Sequence, residues 1–303
     1  NLSTGFSAFL PEVVPLFIGD AGDENLVEGV IAQHGIDSII HFAGSVVVPD
    51  SMRDPLGYYR NNTMTTRSLL NAAVRGGVSR FIFSSTAAVY GNPDQVPVPE
   101  IAPTRPLSPY GSSKLMTEIM LHDVASAHGM SYVVLRYFNV AGADPKGRVG
   151  LSTIGATHLL KIAVEAATGQ RAKIDVFGTD YPTQDGSCVR DFIHVSDLVE
   201  AHRSALAYLR SGGQSVTPTL PATKAKLQSR QNSAISSGRV LKRTRGTAIE
   251  DAADMDFSWN FSIAHDLGRR VDIWKLNDRL ASSGFMNGAC DARPGPVAQF
   301  RLG

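Results

Sequence analysis

Residues 79–91 read SRFIFSSTAAVYG. Phe81, Ile82 and Phe83 form an unbroken apolar run that stops at Ser84-Ser85-Thr86, and small residues then lead to Gly91. A short apolar run without polar alternation predicts a strand buried on both faces. The same design recurs on either side. Upstream lie VVPLFIGD (13–20) and DSIIHFAG (37–44); downstream lies SYVVLRYFNVAG (131–142). Helical patterns separate these runs. DENLVEGVIAQHG (23–35) ends on Gly35, and PLGYYRNNTMTTRSLLNAAVRGG (55–77) is opened by Pro55 and closed by Gly76-Gly77. A third helix runs from Pro109 to about Gly129. Strands alternating with helices predict an α/β protein with a parallel, doubly wound sheet. Ligands of such sheets lie outside the carboxyl ends of the strands. Those ends are Gly19-Asp20, Phe42-Ala43-Gly44, Ser84-Ser85-Thr86 and Tyr137-Phe138-Asn139.

The later chain is more mixed. Residues 153–169 read as helix, KIDVFG (173–178) as strand, YPTQDGS as loop and CVRDFIHV (188–195) as strand. Ser196 or Asp197 is expected to cap the next helix, with Glu200 three residues after Asp197. From about Thr217 the sequence turns polar and basic without clear period, and 250–303 carries only scattered apolar positions, which predicts partial disorder.

The chain has 303 residues and 43% hydrophobic content, enough to bury a sizeable core. Its 29 basic and 28 acidic residues balance to +1, which argues against nucleic acid or another polyanion as the main partner. Cys188 and Cys290 form neither a metal spacing nor a disulfide framework, so no metal is expected and a cytoplasmic setting fits. No uninterrupted apolar run is long enough to span a bilayer, so no membrane partner is expected. The N-terminus, NLSTGFSAFLPEVVPLF, lacks a basic leader, and Glu12 and two prolines interrupt it; it also lacks a starting Met, as a fragment does.

The stretch SPYGSSKLMTE (108–118) carries the chemistry. Ser108 is placed to cap a helix and Pro109 suits its first turn. Tyr110 and Lys114 then share a face, as any i, i+4 pair does. Tyr-x-x-x-Lys at a helix start, behind a strand ending in Ser/Thr, resembles the extended short-chain dehydrogenase/reductase family. Within it, HFAGSVVVPDSMRDPLGYYRNN, RFIFSSTAAVYG, SPYGSSKLMTE, LRYFNVAGADP and VFGTDYPTQDGSCVRDFIHVSDL are similar, in order, to the UDP-glucose 4-epimerase group. The resemblance runs from residue 1 to about 216. It implies a Rossmann-like fold with NAD held across 1–150 and 185–212, and a substrate-binding region formed by 151–184 and 213–303. The group opens with a strand and a Gly-rich turn for the cofactor pyrophosphate, whereas NLSTG is similar to the text after the second strand. The resemblance thus implies about one preceding βα unit. After about residue 216 the text departs from the group, as a divergent tail or a shifted reading frame would.

The resemblance implies a hydride removed from C4 of a UDP-sugar and returned to the other face, with no net redox change. Tyr110 would take the 4-hydroxyl proton. A phenol near pH 10 needs about three units, or ~4 kcal/mol, of phenolate stabilisation to act near neutrality. Lys114 is expected to contribute that charge and to hold the nicotinamide ribose. Thr86 is expected to relay the proton, although a strand-end hydroxyl also satisfies local backbone groups. Ala87-Ala88 stands where dehydratases of the family place an Asp-Glu pair, which favours epimerisation over loss of water. For NAD, the matching positions are Asp20 and Ala21 at the adenine, Phe42, Ala43 and Gly44 under the pyrophosphate and ribose, Asn61 on the long helix, and Phe138 beside the nicotinamide. Val46 replaces a Lys that reaches the cofactor in some relatives. For the UDP-sugar they are Asn139, Arg190, His158 and Phe177, with an ion pair to Asp191 as the structural reading of Arg190. Helices 55–77 and 109–129 are expected to form a homodimer. Another sugar-nucleotide epimerase or dehydratase, or a non-catalytic dinucleotide or sugar-nucleotide binder, is the alternative.

Overall fold

The computed structural model describes residues 1–153, 155, 157–175, 180–183, 186 and 190–220. The expected strand residues 176–178, Phe177 and the tail from 221 lie outside the described residues. The chain divides into two compact units, Asn1–Val140 with Asp197–Arg239 and Ala141–Ser196 with Val240–Gly303.

The first unit is built on a parallel sheet. Along the chain the strands are β1 (Ser38–His41), β2 (Arg80–Ser84), β3 (Ser131–Tyr137), β4 (Asn139–Ala141), β5 (Phe192–His194) and β6 (Thr219–Leu220). The four-stranded sheet has the order β1-β2-β3-β6. Its register sets His41 opposite Phe83, Phe83 opposite Val134, and Arg136 opposite Thr219. The carboxyl ends of the three long strands therefore meet along one edge. Helices are α1 (Glu24–His34), α2 (Val48–Arg53), α3 (Pro55–Tyr58), α4 (Thr65–Arg75), α5 (Pro109–His128), α6 (Leu159–Ala167) and α7 (Val195–Arg210).

Side-chain alternation explains the double winding. Phe81, Phe83 and Val134 join Ile31 of α1, Leu69 and Leu70 of α4, and Leu121 and Ala125 of α5 in one core cluster. Ile82, Val133 and Leu135 occupy the alternate positions and are equally buried, so they line the other face. Tyr137 is in phase with them, and its ring lies 6.4 Å from His202 of α7. Both faces are covered, as the non-alternating apolar runs require.

Local signals set several ends. Asp23 accepts from Leu26 N at 3.1 Å to cap α1, and Gly35 closes it at φ 59°. Ser108 accepts from Gly111 N at 3.2 Å, Pro109 opens α5, and Gly129 ends it at φ 68°.

The structure corrects other expectations. Residues 13–20 form no strand, and Val13 and Ile18 are exposed. A strand needs a pairing neighbour, which this segment lacks among the described residues, and Pro15 removes a donor. The helix over 55–77 is interrupted by a π-helical turn at Tyr59–Met64. The helix expected over 153–169 is shorter, at Leu159–Ala167. The strand over 188–195 is limited to Phe192–His194 among the described residues. Helix α7 starts at Val195, so Ser196 and Asp197 lie inside its first turn. The His194 imidazole, rather than either of them, accepts from Ser196 N at 3.2 Å. Beyond Thr217, β6 pairs with β3, and Thr219 N donates to Glu100 at 3.0 Å. In the second unit, Glu165 of α6 pairs with Lys161 at 3.3 Å and with Arg171 at 3.1 Å.

His41 ends β1 inside the core, stacked on Phe83 at 5.7 Å. Thr66 Oγ1 donates to Asn62 O at 2.6 Å, so its lone pair is left to accept from His41 Nε2 at 2.9 Å. Burial first, and the Lys114 charge second, push the imidazole down to about 3. Below pH 6.5 the unfolded chain protonates this histidine while the folded chain does not, so stability falls as pH drops toward 3. By pH 4 that loss amounts to roughly 3 kcal/mol. Urea titrations of the parent chain and His41→Gln between pH 7 and 4 should show a shallower decline in the variant; parallel declines would count against a buried neutral His41.

Candidate active site

The site grows from three consecutive residues at the end of β2. Each meets a different turn of α5. Ser84 O accepts from Lys114 Nζ at 3.0 Å. Ser85 Oγ donates to Glu118 Oε1. The Thr86 hydroxyl lies beside the Tyr110 phenol and favours its deprotonated form. Tyr110, Lys114 and Glu118 follow at i, i+4 and i+8, so one helix face supplies all three groups. The three residues expected to be catalytic are therefore brought together.

Two local features set this approach. Thr86 Oγ1 also accepts from Ala88 N at 3.1 Å and so caps the 3-10 turn Ala87–Tyr90. This is the local backbone role expected of a strand-end hydroxyl. Gly111, next to Tyr110, faces that turn closely. A Cβ there would lie 2.9 Å from Ala88 O and 2.9 Å from Pro106 Cβ. Gly111→Ala should thus cost roughly 1–3 kcal/mol of stability. Thermal unfolding checks this, and an unchanged midpoint would mean that α5 does not need the close approach.

Burial dominates the electrostatics. It pushes the Tyr110 phenol up to about 12, against the Thr86 hydroxyl, with Tyr137 and Tyr58 adding to the rise. It pushes buried Lys114 down to about 8, against the charge of Glu118. With the chain's own groups alone, the Tyr110 phenol stays above its ordinary value. The ammonium is bonded to Ser84 O and lies 4.9 Å from the Phe83 ring centroid. Burial also raises Tyr137, whose hydroxyl meets Ser84 Oγ.

The β1 end supplies a second wall. Gly44 has φ 149°, and a Cβ there would lie 2.9 Å from Asn62 Oδ1 and 3.8 Å from Lys114 Nζ. Asn62 accepts from Ser45 N at 2.7 Å and donates to Ser45 O and Ser113 Oγ, each at 3.0 Å. Its neighbour Asn61 donates to Ser45 Oγ at 2.7 Å. Asp20, Ser45, Asp54, Tyr58, Arg60 and Asn61 line a cleft of about 520 Å³. Asp20 accepts from Gly22 N at 2.7 Å, turning the chain just past Ala21. Phe42 follows β1, is 55% exposed and packs on His202 at 4.5 Å, so it is not a core residue. Ala43 is exposed between Phe42 and Gly44, and Val46 is exposed beyond them. Phe138, in contrast, packs against the buried cluster of Ala87, Val89 and Tyr90.

Of the expected substrate residues, Thr86, Tyr110 and Asn139 belong to the first unit. His158 and Arg190 belong to the second. His158 is partly buried at the start of α6 and is pushed down by burial; Arg190 is exposed. Phe177 is outside the described residues. Among the described residues, no group of three or more His, Cys, Asp or Glu side chains is disposed to hold a metal, and no helix is long and apolar enough to cross a membrane. Sequence reasoning passed over Asn62, Ser85, Glu118 and Arg136. Only Glu118 carried a local signal, its i+4 spacing from Lys114.

Residues 1–217 match the family described as "NAD dependent epimerase/dehydratase family". The chain is 55% identical over 216 residues to the UDP-glucose 4-epimerase of Azospirillum brasilense, covering 71% of this chain and 62% of that protein. It is 46% identical over 282 residues to that of Rhizobium meliloti (strain 1021), covering 93% and 85%. The latter similarity runs past residue 217, farther than the resemblance read from the sequence. The chain spans 62%, 64% and 65% of the length of three curated relatives. Among solved structures, UDP-glucose 4-epimerase from Brucella ovis in complex with NAD matches with a TM-score of 0.71 and 41% identity, covering 73% of this chain and 68% of that one. The Bifidobacterium longum enzyme in complex with NAD+ and UDP gives 0.60 and 35%, covering 68% and 70%.

Proposed function

The chain belongs to the NAD dependent epimerase/dehydratase family, and from that premise we propose that it is a UDP-glucose 4-epimerase, an isomerase interconverting UDP-glucose and UDP-galactose. The single observation carrying this reading is the set of buried Thr86, half-buried Tyr110 and buried Lys114 at the carboxyl edge of a parallel sheet. The residues present fit a dinucleotide. Asp20 and Asn61 line one cleft with Ser45, and the adjoining Gly44 lies close to the Lys114 ammonium. In this reading Asp20, Ala21, Phe42, Ala43, Gly44, Asn61 and Phe138 contact NAD, and Lys114 donates to its ribose. Bound NAD would supply a hydride acceptor and a positive charge.

The chain's own residues manage the proton. Thr86 holds the sugar 4-hydroxyl and passes its proton to Tyr110; Tyr110 gives it back when the 4-keto sugar is reduced on its other face. Lys114 keeps a cation one helical turn away. The UDP moiety is assigned to Asn139, His158, Phe177 and Arg190, where an Arg fork suits a diphosphate. The NAD-holding part is assigned to 1–150 with 185–212, and the substrate-binding part to 151–184 with 213–303. Ala87, buried directly after Thr86, leaves no second acid at that position, which supports epimerisation over dehydration. A homodimer through 55–77 and 109–129 is supported by exposed Leu56, Met64, Met116 and Ile119.

A coupled assay supplying UDP-galactose and detecting UDP-glucose tests the reading. The parent chain should turn over, and Tyr110→Phe should lose at least a hundredfold in kcat. No turnover by the parent chain, or a fully active Tyr110→Phe, would overturn it.

A further inference from the structure

Helix α5 carries a buried carboxylate that the proposed chemistry does not use. Glu118 is 7% exposed and Arg136 of β3 is 8% exposed. Arg136 Nε lies 3.1 Å and 3.2 Å from the two Glu118 oxygens, and its Nη2 makes a further close bond to Oε2. Arg136 Nη1 donates to Tyr90 OH at 2.9 Å, and Tyr90 OH meets Thr219 Oγ1 of β6 at 2.6 Å. The guanidinium also lies 4.9 Å from the Tyr90 ring centroid. Glu118 is thus fixed from β3 and β6 while it accepts from Ser85 at the end of β2.

A buried ion pair is weak evidence for stability, because desolvating both charges offsets much of their attraction. Its placement is more informative. Ser85 stands between Ser84, which holds Lys114, and Thr86, which lies beside Tyr110. Fixing Ser85 fixes the backbone that presents both neighbours. Glu118 also sits one turn from Lys114 on the same face, and a buried ammonium needs a compensating charge.

We propose that Glu118 is a positioning residue of the active site. Clamped by Arg136, it locks Ser85 so that Thr86 meets Tyr110, and its charge keeps Lys114 an ammonium. This rests on the reading of Tyr110 and Lys114 as catalytic groups. The surroundings of Lys114 leave Glu118 as the compensating anion. On α5, Tyr110 and Glu118 lie one turn to either side of it, and Glu118 acts on its charge; from β2 it meets the Ser84 carbonyl and the Phe83 ring; from β1, the neutral His41. From β3, Arg136 is taken up by Glu118, and Tyr137 meets Ser84. Burial is what lowers Lys114 to about 8, and Glu118 is the group opposing it.

Two variants separate the parts of the proposal. Glu118→Gln keeps an oxygen for Ser85 and removes the charge. Ser85→Ala keeps the charge and removes the bond. Titration of 15N-labelled Lys114 by NMR, assigned with Lys114→Arg, is read beside the pH profile of kcat and KM. In Glu118→Gln the Lys114 midpoint and the alkaline limb of kcat should both move to lower pH, with KM within about twofold of the parent. In Ser85→Ala, kcat should fall about tenfold or more while the Lys114 midpoint stays in place. If Glu118→Gln does not fold, the double variant Glu118→Gln/Arg136→Met removes both charges and is titrated in its stead. An unmoved Lys114 midpoint in the charge variant, or unchanged kcat in Ser85→Ala, overturns the proposal. A parent chain with no turnover defeats the epimerase reading instead, and the Lys114 titration still decides whether Glu118 holds the ammonium.

Discussion

Much of the first unit is organised around one buried cation. Lys114 Nζ donates to the carbonyl of Ser84, where β2 leaves the sheet. An ammonium out of water needs oxygens and a compensating charge. Here Ser84 supplies an oxygen and Glu118 the charge. The consequences reach beyond α5. The charge adds to burial in keeping His41 neutral, which leaves the imidazole as a partner for Thr66 and a stacking surface for Phe83. Gly44 brings the loop after β1 close to the same ammonium, where a side chain would collide with Asn62. Strand ends, helix face and loop are thereby set by one charge.

The π turn at Tyr59–Met64 solves a related geometric problem. π turns recur at functional sites because they redirect consecutive side chains. Asn61 and Asn62, adjacent in sequence, both reach Ser45. Asn61 bonds to its hydroxyl and remains on the wall of the cleft. Asn62 takes the Ser45 backbone N–H and C=O and ties them to Ser113 of α5. The loop that follows β1 is thus held to the helix that carries Tyr110 and Lys114.

What the sequence made legible follows from whether the cause is local. The caps Asp23 and Ser108, the stops Gly35 and Gly129, and the non-alternating runs at β1, β2 and β3 act through residues within a few positions. The approach of Thr86 to Tyr110 and Lys114 was legible because their spacing and strand-end setting are local too. The failures have nonlocal causes. Residues 13–20 look like a strand, but a strand exists only beside a partner. Thr219–Leu220 has too few residues to show a period, and β3, Glu100 and Tyr90 hold it in place. Asn62, Ser85 and Arg136 have ordinary sequence contexts. Their roles arise only when β1, β2, β3 and α5 converge.

The convergence also makes proton removal at Tyr110 conditional. Phenolate is penalised by burial, and the Thr86 hydroxyl recovers only part of that penalty. The nearby cation does not draw the proton off by itself, since its bond is to Ser84 and its own charge is weakened by burial to a midpoint of about 8. With the chain's own groups alone, the phenol therefore keeps its proton throughout the physiological range. Adding one positive charge beside it shifts the balance in the same low-dielectric surroundings that imposed the penalty, where each charge counts for more than in water. Burial thus has two effects: it keeps the Tyr110 phenol protonated, and it makes that phenol responsive to the charge of whatever occupies the adjoining site.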